Sequence, residues 1–152
     1  MSQHLEKLIQ SVPGVVYQFH VADDGEWSFL YISDGVRELY QYSPQAIAAD
    51  PSIMRNCVLD EDREFHLRSI EHAVKEVIPW MNEYRIRTAS GTIKWVRGQA
   101  LPERQEDGSV IWNGILVDIS KIKATETHLL RLQKLYAAVI ETNQLISRTQ
   151  NQ

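Results

Sequence analysis

Between Glu83 and Ser120 the chain reads as three extended segments broken by two turns, and then it passes without interruption into a stretch that nothing would stop from coiling. Glu83-Tyr84-Arg85-Ile86-Arg87-Thr88 alternates charged and apolar residues, Ala89-Ser90-Gly91 is a turn, and Ile93-Lys94-Trp95-Val96-Arg97 resumes a pattern rich in β-branched and aromatic residues. A second turn, Glu106-Asp107-Gly108-Ser109, leads to Val110 through Val117, a strand apolar enough to be covered on both faces. Asp118-Ile119-Ser120 closes it, and from Lys121 onward there is neither Gly nor Pro, so the rest reads as helix. A sheet that hands its last strand directly to a long helix leaves few architectures open.

The front of the chain supplies the remaining strands. Leu5, Leu8, Ile9 and Val12 fall at helical spacing and predict a short amphipathic lead-in over residues 1–12, which Pro13-Gly14 stops. Val15 through Val21 and Trp27 through Ile32 read as a hairpin around Asp23-Asp24-Gly25. Short helices are predicted over Asp34 to Tyr40, from Ser43-Pro44, and from Asp50-Pro51. Asp60 to Val77 is the one long helix of this block, with Phe65, Leu67, Ile70, Ala73, Val74 and Val77 as its apolar face and acids in its first turn. Two strands, helices, then three strands predict an α+β fold, a five-stranded antiparallel sheet with helices on one face.

Composition excludes several classes. The chain has 152 residues, 43% of them hydrophobic and 24% charged, which suits one domain with a real core and an appendage. Its formal charge of -4, with acids and bases interspersed, leaves no basic face for a nucleic acid. Apolar runs are far shorter than the ~18 residues of a spanning helix, and the start lacks a signal-peptide core, so a cytoplasmic piece with no membrane segment is expected. A lone Cys57 fits a reducing compartment. No nucleophile elbow, phosphate loop or metal-ligand spacing is present, so an enzyme is not expected in this piece.

The order of elements, with Glu83-Tyr84-Arg85-Ile86-Arg87, Gly91, Lys94-Trp95-Val96, Gly114 and Asp118-Ile119-Ser120, resembles the PAS domain with its PAC motif. Tyr31-Ile32-Ser33 with Tyr42-Ser43-Pro44 matches the family's second strand and following helix, although Gln41 stands where a Gly is common. Val58-Leu59-Asp60-Glu61-Asp62-Arg63 is similar to the family's helix-opening His-Pro-Asp-Asp-Arg with the His and Pro replaced. The resemblance implies a sensor domain over residues 13–120, followed by a signalling helix over 121–152.

If the sheet packs as the resemblance implies, the side facing the helices carries Tyr84 and Ile86, Val96 and Gly98, then Gly114 and Leu116. Tyr17, Phe19, Tyr31, Met54, Ile70 and Val74 would complete the wall. Such a lining suits a small apolar or aromatic ligand, and equally a core filled by its own side chains. Gly98 and Gly114 favour some open space, since Gly in a strand marks the close approach of another group. Arg55-Asn56-Cys57 resembles the start of the Asn-Cys motif of flavin-binding LOV members. Ile86, Val96 and Leu116 then fall where those members carry flavin-binding amides, and would leave the polar edge of an isoalloxazine unpaired. Cys57 therefore reads as a buried structural thiol. Some PAS domains ligate haem through a His of the long helix, which here carries His66, beside Phe65 and Leu67, and His72, on or near the apolar face before Ala73 and Val74. The expected cofactor is none, with haem and flavin as alternatives and no other metal.

In the tail, Ile122, Leu129, Tyr136 and Asn143 fall seven apart, and Thr125, Leu132, Val139 and Ile146 fill the intermediate positions of a heptad. Leu130, Leu135, Ala138 and Ile140 widen the apolar surface beyond one stripe, which favours a parallel homodimer over a helix folded back on its own sheet. Gln133 through Gln144 looks like the lead-in to a GAF domain, so an effector is expected in the same chain, a cyclic-dinucleotide enzyme or a histidine kinase. Asp118, Ile119 and Ser120 are the expected relay. The alternative function is a ligand-free dimerisation module.

Overall fold

In the computed structural model, which describes residues 13–150 together with Gln3, His4 and Lys7, five strands form one antiparallel sheet. They are β1 (Val15–Val21), β2 (Trp27–Ile32), β3 (Trp80–Arg87), β4 (Ile93–Arg104) and β5 (Val110–Asp118), in the spatial order β2-β1-β5-β4-β3. The apolar residues of the expected lead-in helix, Leu5, Leu8, Ile9 and Val12, lie outside the described residues. Between the hairpins run α1 (Val36–Leu39), α2 (Pro44–Ala49), α3 (Ser52–Cys57) and α4 (Asp60–Glu76), and after β5 comes α5 (Ser120–Gln150). The fold is α+β, with the PAS-like order of elements that the sequence predicts.

Local chemistry sets the helix ends. Ser43 Oγ accepts from Ala46 N at 3.0 Å, with Pro44 in the first turn of α2. Asp50 Oδ1 accepts from the backbone N of Ser52 at 3.1 Å and opens α3. Leu59, at the start of α4, makes no side-chain cap, and Asp60, Glu61 and Asp62 meet the helix dipole instead. That helix ends on Val77 in the left-handed region, φ 52° and ψ 54°.

Strand periodicity places the core. Along β1 every second residue is buried, and Trp80, Asn82, Tyr84 and Ile86 do the same along β3. Tyr40, Ile47, Val36, Ile86 and Val96 are almost wholly enclosed. Three expectations are corrected here. Phe65 is 69% exposed, because the buried stripe of α4 is centred one position later, on His66 and Ala73 with Ile70 packed beside them. The strand β5 is covered on one face only, leaving Ile115 36% exposed; its apolar run reflects a central place in the sheet rather than two covering layers. The third concerns Tyr31. The β1–β2 register shifts between Gln18 and Phe19, so Phe29 pairs with Phe19 but Tyr31 pairs with Gln18, and the bulge turns Tyr31 to the opposite side of the sheet.

The chain divides into two compact units that part between Ile119 and Ser120. Within the second, α5 carries exposed Leu129, Leu132, Tyr136 and Val139. Thr125, Thr127, Thr142 and Thr149 turn their hydroxyls back onto the carbonyl four residues earlier, which satisfies them within the helix. Among the described residues no helix is long and apolar enough to cross a membrane.

Candidate functional site

On the helix-facing side of the sheet, aromatic side chains from four strands and from α4 close around a small cavity of about 70 Å³. Tyr17, Phe19, Met54, Ile70, Tyr84 and Leu116, all predicted from sequence, line it. Trp80, Trp112, Tyr40 and His66 line it as well and were not predicted as pocket wall. Their signal was present, for Trp80 shares its parity with Tyr84 and Ile86, and Trp112 with Gly114 and Leu116. Ile86 and Val96 are buried in the same core without lining the cavity, and Val74 packs at its margin. Across the sheet a wider hollow of about 840 Å³ includes Tyr31, Gln18, Gln99 and Leu101; it lies open, with Leu101 64% exposed.

The two strand glycines do mark close approach, but by the protein itself. A Cβ on Gly98 would stand 2.6 Å from the Trp80 ring, and one on Gly114 would stand 2.5 Å from the Tyr17 ring. The space expected there is filled by these two aromatic side chains. Tyr17 Oη accepts from Trp112 Nε1 at 2.8 Å, and the Trp80 and Trp112 rings lie 5.3 Å apart. Trp80 Nε1 donates to Ser69 Oγ at 2.9 Å, and Ser69 donates to the His66 carbonyl at 2.7 Å. The aromatic wall is thus tied to α4 by hydrogen bonds as well as by packing.

His66 sits in this wall, its ring 4.0 Å from that of Tyr84 and its Nδ1 3.2 Å from Asn82 Nδ2. The Asn82 amide donates there, so the ring proton resides on Nε2. Burial pushes the imidazole down to about 4, only partly offset by the nearby Asp62 carboxylate, and His66 is therefore neutral at physiological pH. Burial raises the phenols of Tyr17, Tyr40 and Tyr84 well above their ordinary range, and all three stay protonated. At the rim, the Arg55 guanidinium lies 5.9 Å over the Trp27 ring.

Sites for drug-sized ligands run to about 300–1,000 Å³, against about 70 Å³ here. Cys57 is buried, its thiol pushed up by burial, and it is not part of the cavity wall. Of the two candidate axial histidines, His66 is engaged with Asn82, and His72 is exposed on the far side of α4 rather than near its apolar face. Among the described residues there is no group of three His, Cys, Asp or Glu side chains placed to hold a metal ion.

A second arrangement leads away from α4 toward the end of the sheet. Arg85 Nε and Nη2 donate to the two Asp62 carboxylate oxygens at 2.9 and 2.8 Å, and the Arg85 backbone N donates to Oδ2 at 3.0 Å. That pairing holds the Asp62 carboxyl below its ordinary range. The same guanidinium lies 5.6 Å over the Trp95 ring, and the Trp95 carbonyl accepts from Ile119 N at 2.9 Å. Ile119 is 2% exposed, while Asp118 beside it is exposed and Ser120 begins α5.

Comparison with known proteins agrees with this geometry. No curated protein sequence matches the chain. Among solved structures, the N-terminal domain of a diguanylate cyclase with PAS/PAC sensor from Marinobacter aquaeolei superposes with TM-score 0.60 at 17% identity, covering 71% of this chain and 98% of that one. A sensory box histidine kinase/response regulator from Burkholderia thailandensis gives 0.60 at 16%, covering 80% and 90%. The light-state LOV domain of the blue-light photoreceptor Aureochrome1 gives 0.59 at 19%, covering 86% and 98%. The PAS fold family model matches residues 29–116, and the chain belongs to that family of sensory domains.

Proposed function

We propose that this chain is the sensory and regulatory module of a multidomain signalling protein, whose state is set at the small cavity and read out through α5. The observation that carries this is the position of β5: Trp112 and Leu116 form part of the cavity wall, and the same strand runs into α5 across the single residue Ile119. A change in the wall that favours one arrangement of β5 over another biases the helix only by its differential free energy for the two. Asp118, Ile119 and Ser120 form the relay, and α5 pairs with its twin through Ile122, Leu129, Leu132, Tyr136 and Val139. Catalysis then belongs to an effector in the same longer chain, a cyclic-dinucleotide enzyme or a histidine kinase, in keeping with the neighbours named above, and the setting is cytoplasmic.

A second reading is a ligand-free dimerisation module, favoured by the Tyr17 and Trp80 rings that already fill the space over the glycines. Native mass spectrometry of the chain purified without denaturation separates the two. A dimer that retains a small molecule supports sensing, and a tight dimer that is empty from every expression host supports the scaffold.

A further inference from the structure

The outer face of the sheet, away from α4, carries an apolar patch. Met81, Gln99, Ile115 and Val16 stand abreast in one cross-strand row, and Leu101 stands in the next. All five line the wide hollow on that face, and Met81, Leu101 and Ile115 are exposed within it. Polar neighbours there are already matched to one another: Gln18 Nε2 donates to Asn113 Oδ1 at 2.9 Å, and Arg97 pairs with Glu83. A cover over this face would therefore bury apolar surface without stripping a charge of its partner.

The segment that precedes β1 has the pattern such a cover needs. Leu5, Leu8, Ile9 and Val12, which lie outside the described residues, recur at i, i+3, i+4 and i+7. Gln3, His4 and Lys7 are helical and exposed, and at 3.6 residues per turn they fall on the side opposite that apolar stripe. Only Pro13-Gly14 joins the segment to β1. Gly14 has φ 113°, and an added Cβ would collide with the Leu116 carbonyl, so the chain enters the sheet pressed against the β5 backbone where only glycine fits. A helix over residues 1–12 is about 18 Å long. The span from β1 across β5 and β4 to β3 is about 14 Å at the usual strand spacing. The tethered end thus cannot leave the sheet, and the length of the segment carries it as far as Met81.

We propose that residues 1–12 dock as an amphipathic helix on the outer face of their own sheet, with Leu5, Leu8, Ile9 and Val12 set against Met81, Leu101 and Ile115. The docking is independent of the sensory reading above, since it concerns the reverse side of the sheet. It covers β5, the strand whose other side walls the cavity. A second copy of the chain is the competing occupant.

The test is a nitroxide at Lys7→Cys, an exposed position, in the complete chain with a Cys57→Ser background, read through side-chain methyl spectra. The Met81, Leu101 and Ile115 methyl signals are expected to lose most of their intensity, while that of Ile47, buried on the helix side of the sheet, keeps its own. Leu8→Ser with Ile9→Ser is expected to restore the three signals and leave the dispersion of the spectrum unchanged. A mixture of spin-labelled chains without isotopes and isotope-labelled chains without the nitroxide separates the two occupants. Loss confined to chains that carry both labels supports docking within one chain, whereas loss that persists in the mixture assigns the face to a second copy and overturns the proposal. Full intensity at Met81, Leu101 and Ile115 in the spin-labelled parent, or a loss that survives Leu8→Ser with Ile9→Ser, overturns it as well.

Discussion

The Tyr17 ring lies against Gly114 on the neighbouring strand, so close that a methyl group there would stand 2.5 Å from its Cζ atom. Two strands are in this way keyed to each other by the absence of a side chain. The same relation holds between Trp80 and Gly98. Gly114→Ala is expected to displace Tyr17, break its hydrogen bond with Trp112, and destabilise the domain by about 1–3 kcal/mol, as overpacking does. Urea unfolding followed by tryptophan fluorescence measures this. An unchanged midpoint with unchanged indole emission would contradict the packing described.

Val77 closes α4 in a conformation that suits Gly and penalises a β-branched residue. Its backbone N bonds the Ala73 carbonyl, which Gly preserves. Val77→Gly is expected to raise stability by about 0.5–1 kcal/mol despite the lost side chain, read as a higher thermal midpoint. A lower midpoint would show that packing of the valine outweighs the strain.

Gln41 offers the contrasting case. It too has positive φ, at 66°, where the family commonly has Gly, yet its Oε1 accepts from Ser90 N at 2.9 Å and ties the turn before β4 to the end of α1. Gln41→Ala keeps the backbone strain and loses the tie, so it is expected to cost about 1 kcal/mol; Gln41→Gly loses the tie but relieves the strain, so it is expected to lie near wild type. Chemical denaturation of the three proteins orders them, and a Gln41→Ala variant as stable as wild type would remove the compensation argued here.

Burial of His66 has a signed consequence for pH. The unfolded imidazole takes up its proton near 6.5 and the folded one near 4, so stability is full above pH 6.5 and is lost as pH falls toward 4. The loss is on the order of 3 kcal/mol at most. Asp62, held low by Arg85, adds a further loss only below the ordinary carboxylate range. His66→Gln is expected to flatten the slope of unfolding free energy between pH 6.5 and 4, whatever its effect at pH 7. An unchanged slope would place the titration elsewhere.

Asp62 and Arg85 join α4 to β3, with Arg85 set over Trp95. A double-mutant cycle with Asp62→Ala and Arg85→Ala is expected to give a coupling of about 1 kcal/mol, since the pair is partly exposed yet bidentate. A coupling indistinguishable from zero would leave the pair as surface decoration and remove it from any link between α4 and the sheet.

Much of this architecture was legible in the residues. The bounds of β1 and β2 follow from alternation between Gly-bearing turns, and the tail is helical because nothing in it breaks a helix. Alternation fails where a bulge intervenes: it puts Tyr31 on the helix-facing side, because a register shift leaves no mark in a single strand's pattern. Phe65 misled for a different reason: hydrophobicity alone put it in the core, whereas a buried imidazole paired with Asn82 took the neighbouring place. Gly98 and Gly114 mark close approach to the sheet, but a glycine does not say what approaches, which here is Trp80 and Tyr17.

Signalling by this domain requires transmission from the cavity wall through β5 to α5. Its most direct measurement is the distance between spin labels at Lys134→Cys on two copies of the chain, in a Cys57→Ser background, by pulsed dipolar spectroscopy. Ile70→Phe, which fills the cavity, is the comparison. A resolved interchain distance is expected, shifting in the filled variant while the sheet stays folded. A distribution that does not change between an open and a filled cavity, or the lack of any interchain distance, would contradict it.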